Sequence, residues 1–323
     1  MVKYTNGRRH RAMFCRIVCG IAVTLLVIVL AVAGGCGSSG SSTSGSASPS
    51  ATVAGVVVGL DPALRAMLPS DIIKAGKVRV ACDVPYPPWE MFASAGSKEI
   101  TGADYDLAQA IGAKLGVPFD FQVTVFASVM PTLQSEKADV VISGMFDTTE
   151  RQKVLDYVDY AKDMTVLVVE KGNPEGITDV NSLAGKTVAA QTGSVMQQFA
   201  QKISGDLKAQ GKAPIKILLL PKTSDVELAL KTGRAAAALS DGPTLAYTIQ
   251  TASSTFELAQ DPANPDGYNP SLLGMGVLKS NTQLRDAIQA ALQALMDEGT
   301  YGKILAKYGL EHAAVKTATL NAG

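Results

Sequence analysis

Histidine is nearly missing from this chain. There are two in 323 residues, His10 in a basic N-terminal stretch and His312 near the other end. Imidazole acid–base chemistry would rest on one distal residue, and no G-x-S-x-G nucleophile motif stands in for it, so the chain does not read as an enzyme. Cysteine is equally sparse. Of four, Cys15, Cys19 and Cys36 precede the body and only Cys82 falls within it. That excludes an intramolecular disulfide and a cysteine-built metal cluster there, and no metal or cofactor is expected. Cys82 ends an apolar strand and reads as a small buried hydrophobe. Positive charge is also short in the body. The totals balance at 29 basic and 29 acidic residues, but Lys3, Arg8, Arg9, Arg11 and Arg16 all precede residue 36 and no acid does. Beyond that point 24 basic residues face 29 acidic ones. A mildly acidic body without a Lys/Arg cluster excludes nucleic acid as the partner.

What is present begins with a targeting pattern. The basic start is followed by an apolar run over 17–32 and by Ala33-Gly34-Gly35-Cys36. Small residues before a cysteine resemble the lipobox of bacterial lipoproteins, in which that cysteine is lipidated. The run is shorter than the roughly 20 residues a spanning helix prefers, so a cleaved signal over 1–35 is expected rather than an uncleaved anchor. Either arrangement leaves the body outside the cytoplasmic membrane. Residues 37–50 are almost all Ser, Gly, Thr and Ala, and the span 36–60 reads as a flexible tether.

Along the body, strand and helix patterns alternate. An apolar start over 78–82 leads to Asp83-Val84-Pro85-Tyr86-Pro87-Pro88-Trp89-Glu90, where three prolines forbid a helix and imply a stiff loop at a strand's carboxyl end. Tyr86 is placed there to present its face to a ligand, and Trp89 to pack within the loop. The spacing 107, 108, 111, 115 predicts a helix that Asp104 or Asp106 opens and Gly116 closes. A strand over 119–125 ends at Phe126, and a helix follows to Leu133. Val140, Val141 and Ile142 then mark a buried strand running to 145. It opens into Ser143-Gly144-Met145-Phe146-Asp147-Thr148, with Arg151 close behind: small residues, a capping hydroxyl and a guanidinium, which together suit an anion. After a strand over 164–170 the pattern restarts. Strand 186–191 meets Thr192-Gly193-Ser194 at a helix start, strand 215–220 precedes a helix, and strand 235–239 ends at Ser240-Asp241-Gly242-Pro243. One more strand over 273–278 and an apolar helical stripe at Leu284, Ile288, Leu292 and Leu295 follow. This order implies doubly wound α/β lobes with a site along the strands' carboxyl edges.

Several of these segments, from Asp83-to-Glu90 through Gly102-Ala103-Asp104, Ser143-to-Arg151, Gln191-to-Ser194 and Ser240-Asp241 to Glu298-Gly299-Thr300-Tyr301, stand in the order found in one family. Over about 78–308 the chain resembles the extracellular solute-binding proteins of polar amino acid ABC transporters. The resemblance implies a periplasmic-binding-protein-like (type II) Venus flytrap, two doubly wound lobes joined by a two-stranded hinge. Lobe 1 would take 61–163 and return over 266–323, lobe 2 would take 164–265, and the hinge strands would lie near 161–165 and 264–272. It also implies roles. Arg151 would pair bidentately with an α-carboxylate, and Ser143, Gly144, the Met145 N–H, Thr148, Thr192 and Ser194 would add contacts. Asp241 would receive the α-ammonium, Tyr86 and Phe126 would sandwich the side chain, and Asp83 would meet a polar or cationic end. Phe146 departs from relatives that carry Ser or Thr there, and Asp147 adds an acid most of them lack. Gln191 stands where some have lysine. The expected partners are a free amino acid, polar or cationic, an ABC permease, and membrane lipid through Cys36, with the protein a monomer. A cyclohexadienyl dehydratase-like enzyme on the same fold and a ligand-sensing accessory protein are the alternatives.

Overall fold

The computed structural model describes residues 50–252 and 255–323. The expected signal and the lipidation site Cys36 lie outside them. The first described element is a hairpin, β1 (Ser50–Val53) and β2 (Val56–Gly59). Its turn is Ala54-Gly55, both at positive φ, the backbone a tight two-residue hairpin needs. Val53 and Val58 are buried, so part of the span read as a tether is docked structure. The alternation of Thr52, Val53 and Val56 to Val58 was the signal for it, outweighed by the Ser/Gly composition before it.

Helices α1 (Pro62–Arg65) and α2 (Ser70–Ala75) follow, with Pro69 between them. Then come β3 (Val78–Cys82), the short pair β4 (Met91–Phe92) and β5 (Ile100–Thr101), α3 (Ala103–Leu115), β6 (Phe119–Val123), α4 (Phe126–Gln134) and β7 (Val140–Val141). The 16-residue strand β8 (Leu155–Glu170) leads into β9 (Thr187–Gln191), α5 (Val195–Ala209), β10 (Lys216–Leu220), α6 (Thr223–Lys231), β11 (Ala237–Asp241) and α7 (Gly242–Ala252). The described chain closes with β12 (Phe256–Leu258), β13 (Tyr268–Leu278), α8 (Thr282–Asp297), α9 (Thr300–Lys307) and a tail along β8.

The main sheet has the order β10-β9-β11-β8-β13-β7-β3-β6. Each half follows one rule. In the first, β3 lies between β6 and β7, parallel to both; in the second, β9 lies between β10 and β11, again parallel. Winding therefore reverses beside β3 and beside β9, and a crevice opens at the carboxyl ends of those strands. The antiparallel pair β8 and β13 joins the halves, paired from Leu155 with Leu278 to Thr165 with Tyr268 with two shifts of register on the way. Beyond that, β8 pairs with β11 from Thr165 with Asp241 to Val168 with Ala238.

Two local expectations are corrected. Strand β8 is more than twice the length read at 164–170; its first half carries Asp156, Asp159 and Asp163, acids that interrupt an apolar strand pattern. All three are buried. Asp156 is held by Lys279 and Arg285, and Asp159 accepts from Thr319 and the Ala322 amide. Trp89 does not pack within its own loop. It is fully buried, edge-on to Tyr160 at 6.0 Å.

Candidate functional site

The 83–90 loop is tied at its base by Tyr86 and Glu90, each donating its amide to the other's carbonyl. That tie aims Tyr86 outward across the crevice. Directly beneath its ring is Gly144, at φ +48, where a Cβ would stand 2.3 Å from Tyr86 Cε1. The glycine is required by the approach of the ring and not only by the turn. Its amide donates to Asp104 Oδ2 at 2.8 Å, and Asp104 sits in the first turn of α3. Asp104 and Glu90 are both fully buried. Burial raises both carboxyl pKa values, and the Asp104 charge pushes Glu90 up further. The sequence offered Asp104 only as a helix opener; its role in fixing Gly144 depends on a contact 40 residues away.

Arg151 begins a turn of 3-10 helix whose start is braced by its amide on Thr148 Oγ1. Its guanidinium is buried and donates to two main-chain carbonyls, Phe146 O at 2.8 Å and Gly193 O at 3.2 Å, the second across the crevice. The Phe126 ring lies 5.6 Å away. Desolvation lowers the Arg151 pKa, against the attraction of Tyr157 and Asp147. A buried guanidinium satisfied by carbonyls keeps its full charge unneutralised, which is what an anion site needs.

The opposite wall carries the complementary charge. Asp241, at the end of β11, is 1% exposed. Its Oδ2 accepts the Tyr86 hydroxyl at 2.5 Å and its Oδ1 the Thr244 amide at 2.9 Å. Burial raises the Asp241 pKa, opposed by these hydrogen bonds. A second link joins the lobes at Asp83, whose Oδ2 accepts Gln191 Nε2 at 2.6 Å. Burial pushes Asp83 up to about 6 against that bond and the Lys222 charge.

One cavity of about 20 Å³ lies among these groups, room for about one water molecule. Tyr86, Phe126, Gly144, Phe146, Arg151, Ser194 and Asp241 all border it. Asp83, Ser143, Met145, Thr148 and Thr192 do not, and each has a local reason. Asp83 is covered by Gln191, and Ser143 Oγ is taken by the Asp83 amide. Met145 buries its side chain against the Tyr157 hydroxyl while its carbonyl accepts from Gly274. Thr192 turns its hydroxyl to Leu220 O. Thr148 borders a neighbouring cavity with Asp147 and Gly323. Asp147 does not border the cavity between the charges: it is fully buried, accepting from Gln152 and the Gly323 amide.

The cavity wall also includes Gln191, noted in the sequence only as standing where some relatives have lysine, and residues the sequence reading passed over, among them Met196, Thr223, Val226 and Leu239. Met196 lies in the first turn of α5, Thr223 and Val226 in the first turn of α6, and Leu239 in the middle of β11, paired with Leu167. Carboxyl ends of strands and the helix starts beyond them would have found most of these. Val226 is also a core residue by pattern, and nothing in its spacing separates the two roles.

Known proteins share this fold. Residues 78–311 match the sequence profile of the bacterial extracellular solute-binding proteins, family 3. An arginine-binding protein of Corynebacterium glutamicum is 29% identical over 80% of this chain and 83% of its own. A Streptococcus pneumoniae amino acid ABC transporter substrate-binding protein bound to L-arginine superposes with a TM-score of 0.67 at 26% identity, over 76% of this chain and all of that one. An ancestral amino acid-binding protein, described as a precursor of cyclohexadienyl dehydratase, gives 0.65 at 28% identity, covering 74% and 97%. Its sequence match and its two-lobed crevice agree: this chain belongs to the bacterial extracellular solute-binding proteins, family 3.

Proposed function

We propose that the protein captures a free amino acid between its lobes and delivers it to an ABC permease, binding without turnover. One observation carries this reading: a buried guanidinium bonded only to carbonyls, Arg151, and a buried carboxylate, Asp241, border the same cavity from opposite lobes. A zwitterion supplies the two charges they lack, at opposite ends of one small molecule. The α-carboxylate takes Arg151, replacing its carbonyl contacts, with the Gly144 region and Ser194 beside it. The ammonium displaces the Tyr86 hydroxyl from Asp241. Because the shut cavity holds about 20 Å³, ligand enters with the lobes apart and closure follows.

Tyr86, Phe126 and Phe146 give the side chain an apolar stem region, and Asp83 stands behind Gln191 at its far end. This suits a long side chain with a polar or cationic tip, as do the arginine-binding relatives. Calorimetric titration with the twenty amino acids tests the reading: saturable binding of at least one is expected, and none would refute it. Asp83→Asn is expected to weaken L-arginine by about tenfold or more while leaving L-glutamine nearly unchanged, since only the cation loses a charge partner. Equal effects on both would remove Asp83 from the tip. Incubation with prephenate or arogenate should give no product.

The N-terminal pattern of a basic start, an apolar run and Ala33-Gly34-Gly35-Cys36 supports a protein tethered through lipidated Cys36 to the outer face of the cytoplasmic membrane. No helix among the described residues is long and apolar enough to cross a membrane. Cys36→Ser should move the protein from the membrane fraction to the soluble fraction; retention in the membrane would point to an uncleaved anchor.

A further inference from the structure

Asp163 is a buried acid that the amino-acid site as drawn so far does not use. It lies on β8 opposite Ser271 of β13, where the strands cross between lobes. Two residues further on, Thr165 pairs with Asp241, so Asp163 and Thr165 present their side chains on one face of β8, toward the end of β11. Asp163 Oδ1 accepts the Met164 amide at 2.6 Å and stands 3.9 Å from where a Cβ on Gly242 would be. Its Oδ2 is buried with no hydrogen-bond partner, although the residue is only 1% exposed.

We propose that Asp163 and Asp241 together receive the ligand's α-ammonium group, and that the pair gives up one proton to solvent when the ammonium enters. The proposal rests on the amino-acid reading above. An ammonium has three N–H donors, and Asp241 alone, already accepting from Thr244, cannot face them all. The idle Oδ2 of Asp163 supplies a second acceptor. Two carboxylates this deep cannot both stay ionised without a cation. Burial raises both pKa values, and the Asp241 charge raises Asp163 further. A proton holds the pair together until the ammonium brings a charge of its own.

Around the pair, the cation that borders the same cavity as Asp241 is Arg151, on the opposite wall, where its guanidinium donates to Phe146 O and Gly193 O and is kept for the ligand's carboxylate. From the 83–90 loop come Tyr86 and, behind it, Glu90; from α6, Glu227 senses the Asp241 charge. On its outer side Asp163 borders a cavity of about 380 Å³ with Lys162, Asp266 and His312, all three exposed. That cavity gives the proton a path to water that does not cross the closed cleft.

The test is calorimetric titration of L-arginine and L-glutamine into the full protein at pH 6, 7 and 8, in phosphate and in Tris. Differences in apparent heat between the buffers count protons released. Wild type is expected to release up to one proton per ligand bound, fewer as pH rises and the pair arrives already deprotonated. Asp163→Asn and Asp163→Ser, checked for folding by circular dichroism, should release none and bind about tenfold more weakly or worse. Buffer-independent heats in wild type at all three pH values overturn the proposal, whatever the variants do. So does undiminished release in the variants. If no amino acid binds wild type, the amino-acid reading falls and this inference with it; binding without release defeats this inference alone.

Discussion

Replacing Arg151 by alanine is expected to raise the Kd for the bound amino acid by about 100-fold or more, roughly 3 kcal/mol, while leaving the melting temperature unchanged or higher. The two halves of this expectation come from the same feature. Arg151 is buried among carbonyls and an aromatic face, and desolvation of its charge is the main influence on its pKa. Removing a buried cation whose charge is unneutralised relieves a cost in the protein and removes the fork proposed to meet the ligand's carboxylate in two places. Arg151→Lys separates charge from geometry: it keeps the charge, loses the fork, and should recover only part of the affinity. Binding by the alanine variant within about threefold of wild type, under 1 kcal/mol, would show that the α-carboxylate lies elsewhere.

The second large effect is on stability. Gly102 opens α3 at φ 130 and ψ 170, a region open essentially to glycine. A Cβ there would sit 2.2 Å from Trp89 O and 2.8 Å from Glu90 Cα. Both neighbours are backbone in the fully buried floor of the 83–90 loop, so neither can move without moving Tyr86. Gly102→Ala is therefore expected to destabilise the protein by roughly 3 kcal/mol or more, lowering the melting temperature by about 10 °C for a chain of this size. It should also weaken ligand binding, because Asp104, two residues along, holds the Gly144 amide. A melting temperature within about 2 °C of wild type would mean that the loop floor yields more easily than its contacts imply.

Much of this molecule can be read along the chain, and the limits are physical. The alternation that sets β3, α3, β6, α4 and β7 is local, as is the restart at β9, so the doubly wound order was legible. Arg151, Asp241, Tyr86 and Phe126 were legible because strand ends and stiff loops reveal where side chains converge. Asp163 was not, because an acid at the middle of a long strand looks like a break in it; only the pairing of β8 with β13 and β11 shows that it is enclosed. Asp147 illustrates the reverse. Its place beside Phe146 left open whether it meets ligand or solvent, but Gln152 and the tail claim it, and the tail's path has no local signal. Thr192 and Thr148 share the right segments but do not border the cavity, since a hydroxyl in a turn is as readily used by a nearby carbonyl or amide as by a ligand.

The crossing of β8 and β13 has a mechanical meaning. The two connectors are hydrogen-bonded to each other as they pass between the lobes, with a register shift between Tyr268 and Ser271 and another beside Gly274. A ladder of this kind resists sliding and shear but twists and flexes at its irregular rungs. The halves can therefore swing apart and return without losing alignment, like tweezers sprung at one end. On the amino-acid reading, each closure would bring Arg151 and Asp241 back to the same separation, and the length of the gap between opposite charges would act as a fixed gauge for what is gripped.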